Sequence, residues 1–194
     1  MDFWHTGCTE GGSQAQAGST LPGSWYRVLT SHTSTVSCCA SHPTKASVYA
    51  SAGLQGEVLF WHATKRARLG ASYSPVAPAT SIAFSVCGNL VAMGLRNGAV
   101  EICDRNRVQL YFFSLFKDKV NAIAFSADGK WMAAGSDDTS LVVFACQPKV
   151  RPVVHCRGHA AAVMSIDFAS DSTTLQTVCR YDTSAPNPSM WHLR

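Results

Sequence analysis

The sequence predicts an all-β chain, a repeat fold of about four similar units of short strands. Three observations predict it. Short apolar or alternating runs recur along the chain, separated by clusters of Gly, Asp, Asn and Ser that form turns. Landmarks recur at near-constant spacing: 41 residues from Phe84 to Phe125 and 43 on to Phe168, 41 from Gly53 to Gly94 and 41 again to Gly135, 42 from Trp61 to Cys103 and 41 on to Phe144. No 3.6-residue apolar period is present, and glycine interrupts often enough to exclude helical repeats of similar length. A period of roughly 40–45 with four strands per unit is the mark of propeller blades, sheets too small to stand alone that are stabilised by stacking on copies of themselves.

Taken in order, residues 1–23 read as a Gly/Ser/Gln/Thr-rich leader with scattered aromatics. Four units follow, at 24–62, 66–104, 108–146 and 151–193. The first reads SWYRVLT, VSCCASHP, SVYASAG, GEVLFW, and the last RPVVHCRGH, VMSIDFASD, LQTVCRYD, SMWHL. The third is the clearest. Its run 120–125 is apolar on both alternating sets, suited to burial on both faces, and Ser126-Ala127-Asp128-Gly129 supplies turn chemistry with Gly129 free to take φ > 0. Strand 131–135 follows, residues 136–139 turn the chain, and 141–144 close the unit.

Composition bounds the rest. Hydrophobic residues make up 46% and charged ones 14%, against a usual charged share of about 25%, which describes buried strands and neither a disordered tail nor a coiled coil. A net charge of +4 permits an acidic partner without demanding one. No basic stripe interleaved with aromatics is present, which argues against a nucleic-acid partner. No run approaches the roughly 18 apolar residues of a membrane-spanning helix, so no membrane partner is expected. None of the eight cysteines forms a C-x-x-C pair, and the N-terminal residues carry no secretory pattern. The expectation is a reduced, cytoplasmic protein without metal or cofactor.

Particular residues then carry a family resemblance. The fourth unit has Gly158-His159, Asp182 and Trp191; the third has Asp138 six residues before Phe144. The second carries Asn97 and Cys103 at those two places, and the first carries Gln55 and Trp61, with His32 in the place of the Gly-His histidine. Over residues 24–194 the chain resembles the WD-repeat family of β-propellers. The resemblance implies that Gly158, His159, Asp138, Asp182, Trp61 and Trp191 belong to structural hydrogen-bond networks between turn and strands. It also implies that the first run of each repeat forms the outer strand of the preceding blade. Only the fourth unit has the full Gly-His, Asp and Trp set, and there an insertion over 183–188 stretches the Asp-to-Trp distance to nine. Four blades are few for this family, so either residues 24–30 close the ring onto the last blade or, as expected here, the chain is a piece of a longer propeller. CRGH, LQT, YD and the late Trp191, with AIAFSADGKWMAAGSDDTSLVVF, further resemble blades of the echinoderm microtubule-associated-protein-like group. That resemblance implies a cytoskeletal scaffold whose partners are other proteins, tubulin in microtubules among them; an adaptor or substrate-recognition subunit in ubiquitin ligation or RNA processing is the alternative.

No catalytic constellation stands out. Cys38-Cys39 is expected to fall in a buried strand, no Gly-x-Ser-x-Gly elbow or phosphate-cradling glycine loop occurs, and Asp137-Asp138 reads as a turn. His155 and Cys156 point to opposite faces of an extended strand and so cannot share a metal. No small-molecule substrate is expected. Lys65, Arg66 and Arg68 form the one basic cluster, in the connection between a third strand and the following outer strand, and are the candidate partner-binding loop. Lys117 and Lys119 read as lying in a similar connection.

Overall fold

The computed structural model describes residues 31–180 and 189–192, all strands and connections, with no helix among them. Four antiparallel sheets follow one another. The first comprises β1 (Val36–Ser41), β2 (Val48–Gly53), β3 (Val58–His62) and β4 (Ala67–Arg68). The second comprises β5 (Ala79–Phe84), β6 (Leu90–Leu95), β7 (Ala99–Asp104) and β8 (Gln109–Ser114). The third comprises β9 (Val120–Phe125), β10 (Trp131–Ser136), β11 (Ser140–Ala145) and β12 (Arg151–Arg157). The fourth has three described strands, β13 (Val163–Phe168), β14 (Thr174–Cys179) and β15 (Ser189–His192). In every sheet the strands lie in chain order, so each sheet is a meander.

The run that opens a repeat pairs with the sheet before it: β4, β8 and β12 are the outer strands of the first three sheets. The run RLGASYS differs from its expected strand. Only Ala67 and Arg68 join the ladder, Gly70 turns the chain at φ 65°, and a single bridge joins Val58 to Tyr73. Residues 24–30, whose place in a ring was in question, lie outside the described residues.

Consecutive inner strands pack in succession, β1 on β5, β5 on β9 and β9 on β13, and no comparable packing joins β13 back to β1. The core is therefore three separate layers between neighbouring sheets. Ala50, Ala52, Val58 and Phe60 of the first sheet meet Val91, Met93 and Leu95 of the second. Val100 and Ile102 meet Met132, Val142 and Phe144. Leu141 and Val143 meet Val163, Ile166 and Leu175. Strands β10 and β11 are buried on both faces because alternate residues serve two layers. The inner strand β9, expected to be buried on both faces, is buried only at Val120 and half-buried beyond, since its edge is open to the propeller axis.

Register exposes a correction to the glycine spacing. Leu95, not Gly94, is the counterpart of Gly53: Val36 pairs with Gly53, Ala79 with Leu95, Val120 with Ser136 and Val163 with Cys179. The equivalent positions are Ala52, Gly94, Gly135 and Val178, opposite Cys38, Ser81, Ala122 and Ser165. What sits there matches the next sheet's first inner-strand residue. A Cβ on Gly94 would come within 2.5 Å of Val120 Cγ1, and one on Gly135 within 2.5 Å of Val163 Cγ1. Where that residue is the small Ala79, the preceding sheet carries Ala52 instead of glycine. Bulk on one side of each seam is answered by its loss on the other, a side-chain carbon gained at the glycine position against two given up at the valine position, as close packing demands.

A hydrogen bond crosses the same seams. Each inner strand carries a bulge residue at its register shift. Ser37 Oγ donates to Ala79 O at 2.7 Å, Thr80 Oγ1 to Val120 O at 2.6 Å and Asn121 Nδ2 to Val163 O at 3.0 Å. In the fourth sheet the bulge residue is Met164, which has no proton to give, and Gln176 and Val178 stand where the third sheet has Ala133 and Gly135. The outer face of the fourth sheet is exposed, Met190 to 68%. At the other end of the arc, Val36 is 38% exposed, while its counterparts Ala79, Val120 and Val163 are fully buried.

Gly94→Ala will destabilise the chain by about 1–3 kcal/mol through overpacking. Combined with Val120→Ala, which rebuilds the Ala52–Ala79 arrangement, the two changes will couple favourably by roughly 1 kcal/mol in urea unfolding. Strictly additive effects would show that the seam does not set these residues.

Candidate functional site

Two ends of the sheets can meet a partner. One is built by the loops at 54–57, 69–78, 96–98, 115–119, 137–139 and 158–162; the other by those at 42–47, 63–66, 85–89, 105–108, 126–130, 146–150 and 169–173. The side-chain networks resembling the WD-repeat pattern brace the first end.

In the first sheet the network is a chain of four groups. Trp61 Nε1 donates to Ser51 Oγ at 2.7 Å, and Ser51 Oγ lies 2.6 Å from His32 Nε2. His32 Nδ1 lies 3.1 Å from Glu57 Oε1. A carboxylate only accepts, so Nδ1 carries the proton that meets Glu57. Gln55, read as the residue in the aspartate place, is not the acceptor. Glu57, two positions later, also receives Ser34 Oγ at 2.9 Å, and its longer side chain makes up the offset. Burial alone would raise the Glu57 carboxyl, but hydrogen bonds from His32, its own backbone N–H and Ser34 hold it below its ordinary value. Its position just past the Gly56 turn and across from His32 was the available sign.

The second sheet uses different groups. Asn97 Oδ1 accepts its own turn's Ala99 N–H at 3.2 Å. Behind it, the Tyr73 hydroxyl donates to Glu101 Oε1, and Val76 N–H reaches Oε2 at 3.4 Å. Glu101 is 1% exposed, a buried carboxylate that strand periodicity alone could not distinguish from an outward-facing one. Cys103, at the place of the family Trp, has its thiol pushed up to about 12, by burial first and then by the charges of Glu101 and Asp104.

In the third sheet Asp138 is a turn acceptor. Its Oδ2 takes Lys117 N–H at 2.7 Å and its Oδ1 takes Ser140 N–H at 2.9 Å. Burial would raise this carboxyl; the two N–H groups outweigh it and hold it low. Asp137 faces elsewhere, accepting Asn121 Nδ2 at 2.6 Å and lying 3.2 Å from Lys119 Nζ. In the fourth sheet Trp191 Nε1 donates to Thr177 Oγ1 at 3.1 Å, as Trp61 does to Ser51, and the His159 ring packs edge-on against Trp191 at 5.3 Å. His159 Nδ1 lies 3.1 Å from Cys179 Sγ. Gly158 precedes it at φ 141°, a conformation that favours glycine. Asp182 lies outside the described residues. His155 meets Phe116 while Cys156 packs into the core between the third and fourth sheets, so the two diverge.

The basic cluster sits at the second end of the first sheet. Lys65 and Arg66 occupy the β3–β4 turn and Arg68 lies in β4, and all three are exposed. Arg68 Nε donates to Gly70 O at 3.0 Å. Ser47 Oγ and Thr64 Oγ1, 2.8 Å apart, tie this turn to the β1–β2 loop. Lys117 and Lys119, expected in a similar connection, lie at the opposite end, because the β8–β9 link carries the chain from the outer strand of the second sheet to the inner strand of the third.

Glu57→Gln gives a pH test of the first network. A carboxyl held low in the fold adds stability above its unfolded value of about 4.3, lost as pH falls through the folded value. Urea midpoints of wild type and variant will therefore differ at pH 7 and converge below about pH 4. A difference that is constant across this range would show that the Glu57 charge is not engaged.

Residues 23–62 and 108–144 match the family model described as WD domain, G-beta repeat. Over 142 residues the chain is 28% identical to echinoderm microtubule-associated protein-like 2 of Rattus norvegicus, covering 71% of this chain and 22% of that protein. Over 161 residues it is 25% identical to the 77 kDa echinoderm microtubule-associated protein of Lytechinus variegatus, covering 81% and 24% respectively. The chain thus spans less than a quarter of these relatives. Among solved structures it is similar in fold to the RRP9 WD40 repeats, with TM-score 0.73 and 22% identity over 86% of this chain and 53% of that one. It is also similar to the computationally designed Ika4 protein, with TM-score 0.72 and 16% identity over 87% of this chain and 99% of that one. With its four meander sheets, the chain carries WD40 repeats over residues 23–62 and 108–144 and shares the β-propeller fold of the WD40 structures it resembles.

Proposed function

We propose that this chain is a non-catalytic scaffold of the cytoskeleton, acting in the cytoplasm and docking protein partners, with microtubules first among them. The observation that carries the reading is its similarity to two microtubule-associated proteins over 71% and 81% of its length. The physical basis is positional: packed sheets hold the loops at both ends in fixed places, where a partner meets a preformed surface.

The groups weighed for chemistry support a role without catalysis. Strand β1 is not buried as expected, Cys38 being half-buried and Cys39 exposed, yet desolvation still pushes the Cys38 thiol up to about 11, where little of the thiolate nucleophile exists near neutrality, and raises Cys39 as well. Asp137 and Asp138 are each engaged by neighbouring donors.

For the docking loop, Lys65, Arg66 and Arg68 are exposed in one turn, and neither Lys65 nor Arg68 has a carboxylate partner among the described residues. A tight turn projecting three cations suits an acidic partner surface.

The full chain will pellet with assembled microtubules, and triple reversal to glutamate at Lys65, Arg66 and Arg68 will weaken pelleting by about tenfold, given roughly 0.5 kcal/mol for each exposed pair. Failure of the wild type to pellet would remove the microtubule reading. Capture of ribonucleoprotein or ubiquitin-ligase components from a lysate would point to an adaptor. Pelleting indifferent to the triple reversal would move docking away from this turn.

A further inference from the structure

A second group of cations lies at the same end of the molecule, one seam along, around a cavity between the first and second sheets. The cavity has a volume of about 290 Å³, near the lower bound of small binding pockets. Its floor is apolar, formed by Phe60 and Leu69 from one sheet and Phe84 and Val91 from the other. Lys45 reaches it from the β1–β2 loop, and Arg105 and Arg107 from the β7–β8 turn.

Two of its features are built. Arg107 Nη2 donates to Leu69 O at 2.6 Å, and its guanidinium carbon lies 5.3 Å from the Phe60 ring centroid. The side chain is thus fixed across the seam, while its Nε is buried with no hydrogen-bond partner. The turn that carries Arg105 and Arg107 is closed by Asp104, whose Oδ1 accepts the N–H groups of Asn106 and Val108 at 2.8 Å each and whose Oδ2 accepts Asn106 Nδ2 at 3.2 Å. The Asp104 carboxylate beside them in sequence is therefore engaged by the turn. Among the described residues the ion pairs are His32–Glu57, Lys119–Asp137 and Lys130–Asp128, so Lys45, Arg105 and Arg107 have no acidic partner. The His42 ring beside them is held below its ordinary value by burial and then by the Lys45 charge, which keeps it neutral and leaves the cationic field to the other three.

We propose that this inter-sheet cavity is a docking site for a carboxylate-bearing peptide segment of a partner, an aspartate or glutamate whose charge meets Arg107, Arg105 and Lys45 while an adjacent apolar side chain rests on Phe60 and Phe84. Charge complementarity selects an acid, and the aromatic floor selects one with an apolar neighbour. The backbone speaks for carboxylate over phosphate. Phosphate sites usually rest on a nest of unused N–H groups, but here Gly88 N–H is given to Ser85 O, Arg107 N–H to Asp104 O and Val108 N–H to Asp104. The site deepens the scaffold reading by naming the chemistry of a partner, and it does not depend on that partner being tubulin.

Cys87 lines the cavity and is exposed, so it serves as a local reporter. The test uses the full chain and a capped synthetic peptide alternating glutamate with leucine, reading alkylation of Cys87 by iodoacetamide through mass spectrometry of its own peptide. The expected result is that the acidic peptide slows Cys87 alkylation by about threefold or more, and that Arg105→Ala or Lys45→Ala, both exposed positions, weakens this protection by about tenfold. Lys65→Glu with Arg66→Glu should leave protection within about twofold, since these charges lie off the cavity and are screened. Lack of protection, or equal protection by the same peptide with glutamine in place of glutamate, overturns the site. Equal protection by inorganic phosphate at the same concentration overturns the choice of carboxylate, and loss in the Lys65/Arg66 variant matching that in Arg105→Ala shows a diffuse basic field instead of a cavity. A chain that passes this test yet fails to pellet with microtubules keeps the cavity and loses only the microtubule partner.

Discussion

Everything else in this molecule depends on the seam between neighbouring sheets. A three- or four-stranded meander of six-residue strands leaves both faces wet, and no sheet here has a core of its own. Stability arises only where Val100 and Ile102 of one sheet meet Met132 and Phe144 of the next, and where the corresponding layers form on either side. The seam is narrow at the axis, so volume there is exchanged residue for residue: Ala52 with Ala79, Gly94 with Val120, Gly135 with Val163. The bulge donors Ser37, Thr80 and Asn121 fix the same contact in register, each satisfying the first carbonyl of the following inner strand. Apolar layer, matched volumes and directed hydrogen bond act on one line.

Much of this architecture was legible from the sequence because period and turn chemistry are local. Short runs separated by Asp-Gly and Asn-Gly turns give strands, and a 41–43-residue recurrence gives stacked sheets, whichever residues fill them. What could not be read was register. Gly53 and Gly94 share the period by coincidence, because the β1–β2 loop is one residue longer than the β5–β6 loop and puts β2 one residue out of step with β6. Nor did Ser37, Thr80 and Asn121 announce themselves, being three different residue types doing one job. Their 43- and 41-residue spacing was visible, but only the bulges give it meaning.

The networks at the loop end show why site residues are harder to place than strands. The same brace is built from Trp61, Ser51, His32 and Glu57 in one sheet, from Tyr73 and Glu101 in the next, and from Asp138 and backbone N–H groups in the third. The physical requirement is a satisfied acceptor behind the turn, and side chains of different length meet it from different positions. A pattern that asks for one residue type at one spacing finds Asp138 and passes over Glu57. The cationic cavity is harder still to foresee, since Lys45 and Arg105 are 60 residues apart in sequence and meet only because the sheets stack.

The rear of the fourth sheet departs from the pattern of the other three. Val178 fills the place of glycine, Gln176 that of alanine, and Met164 that of the donor. A neighbour laid there would stand off by the width of an isopropyl group unless it began with a very small residue, and its leading carbonyl would go unclaimed. The pitch from one layer to the next is therefore not uniform around the axis, and a ring containing this surface would be asymmetric by construction.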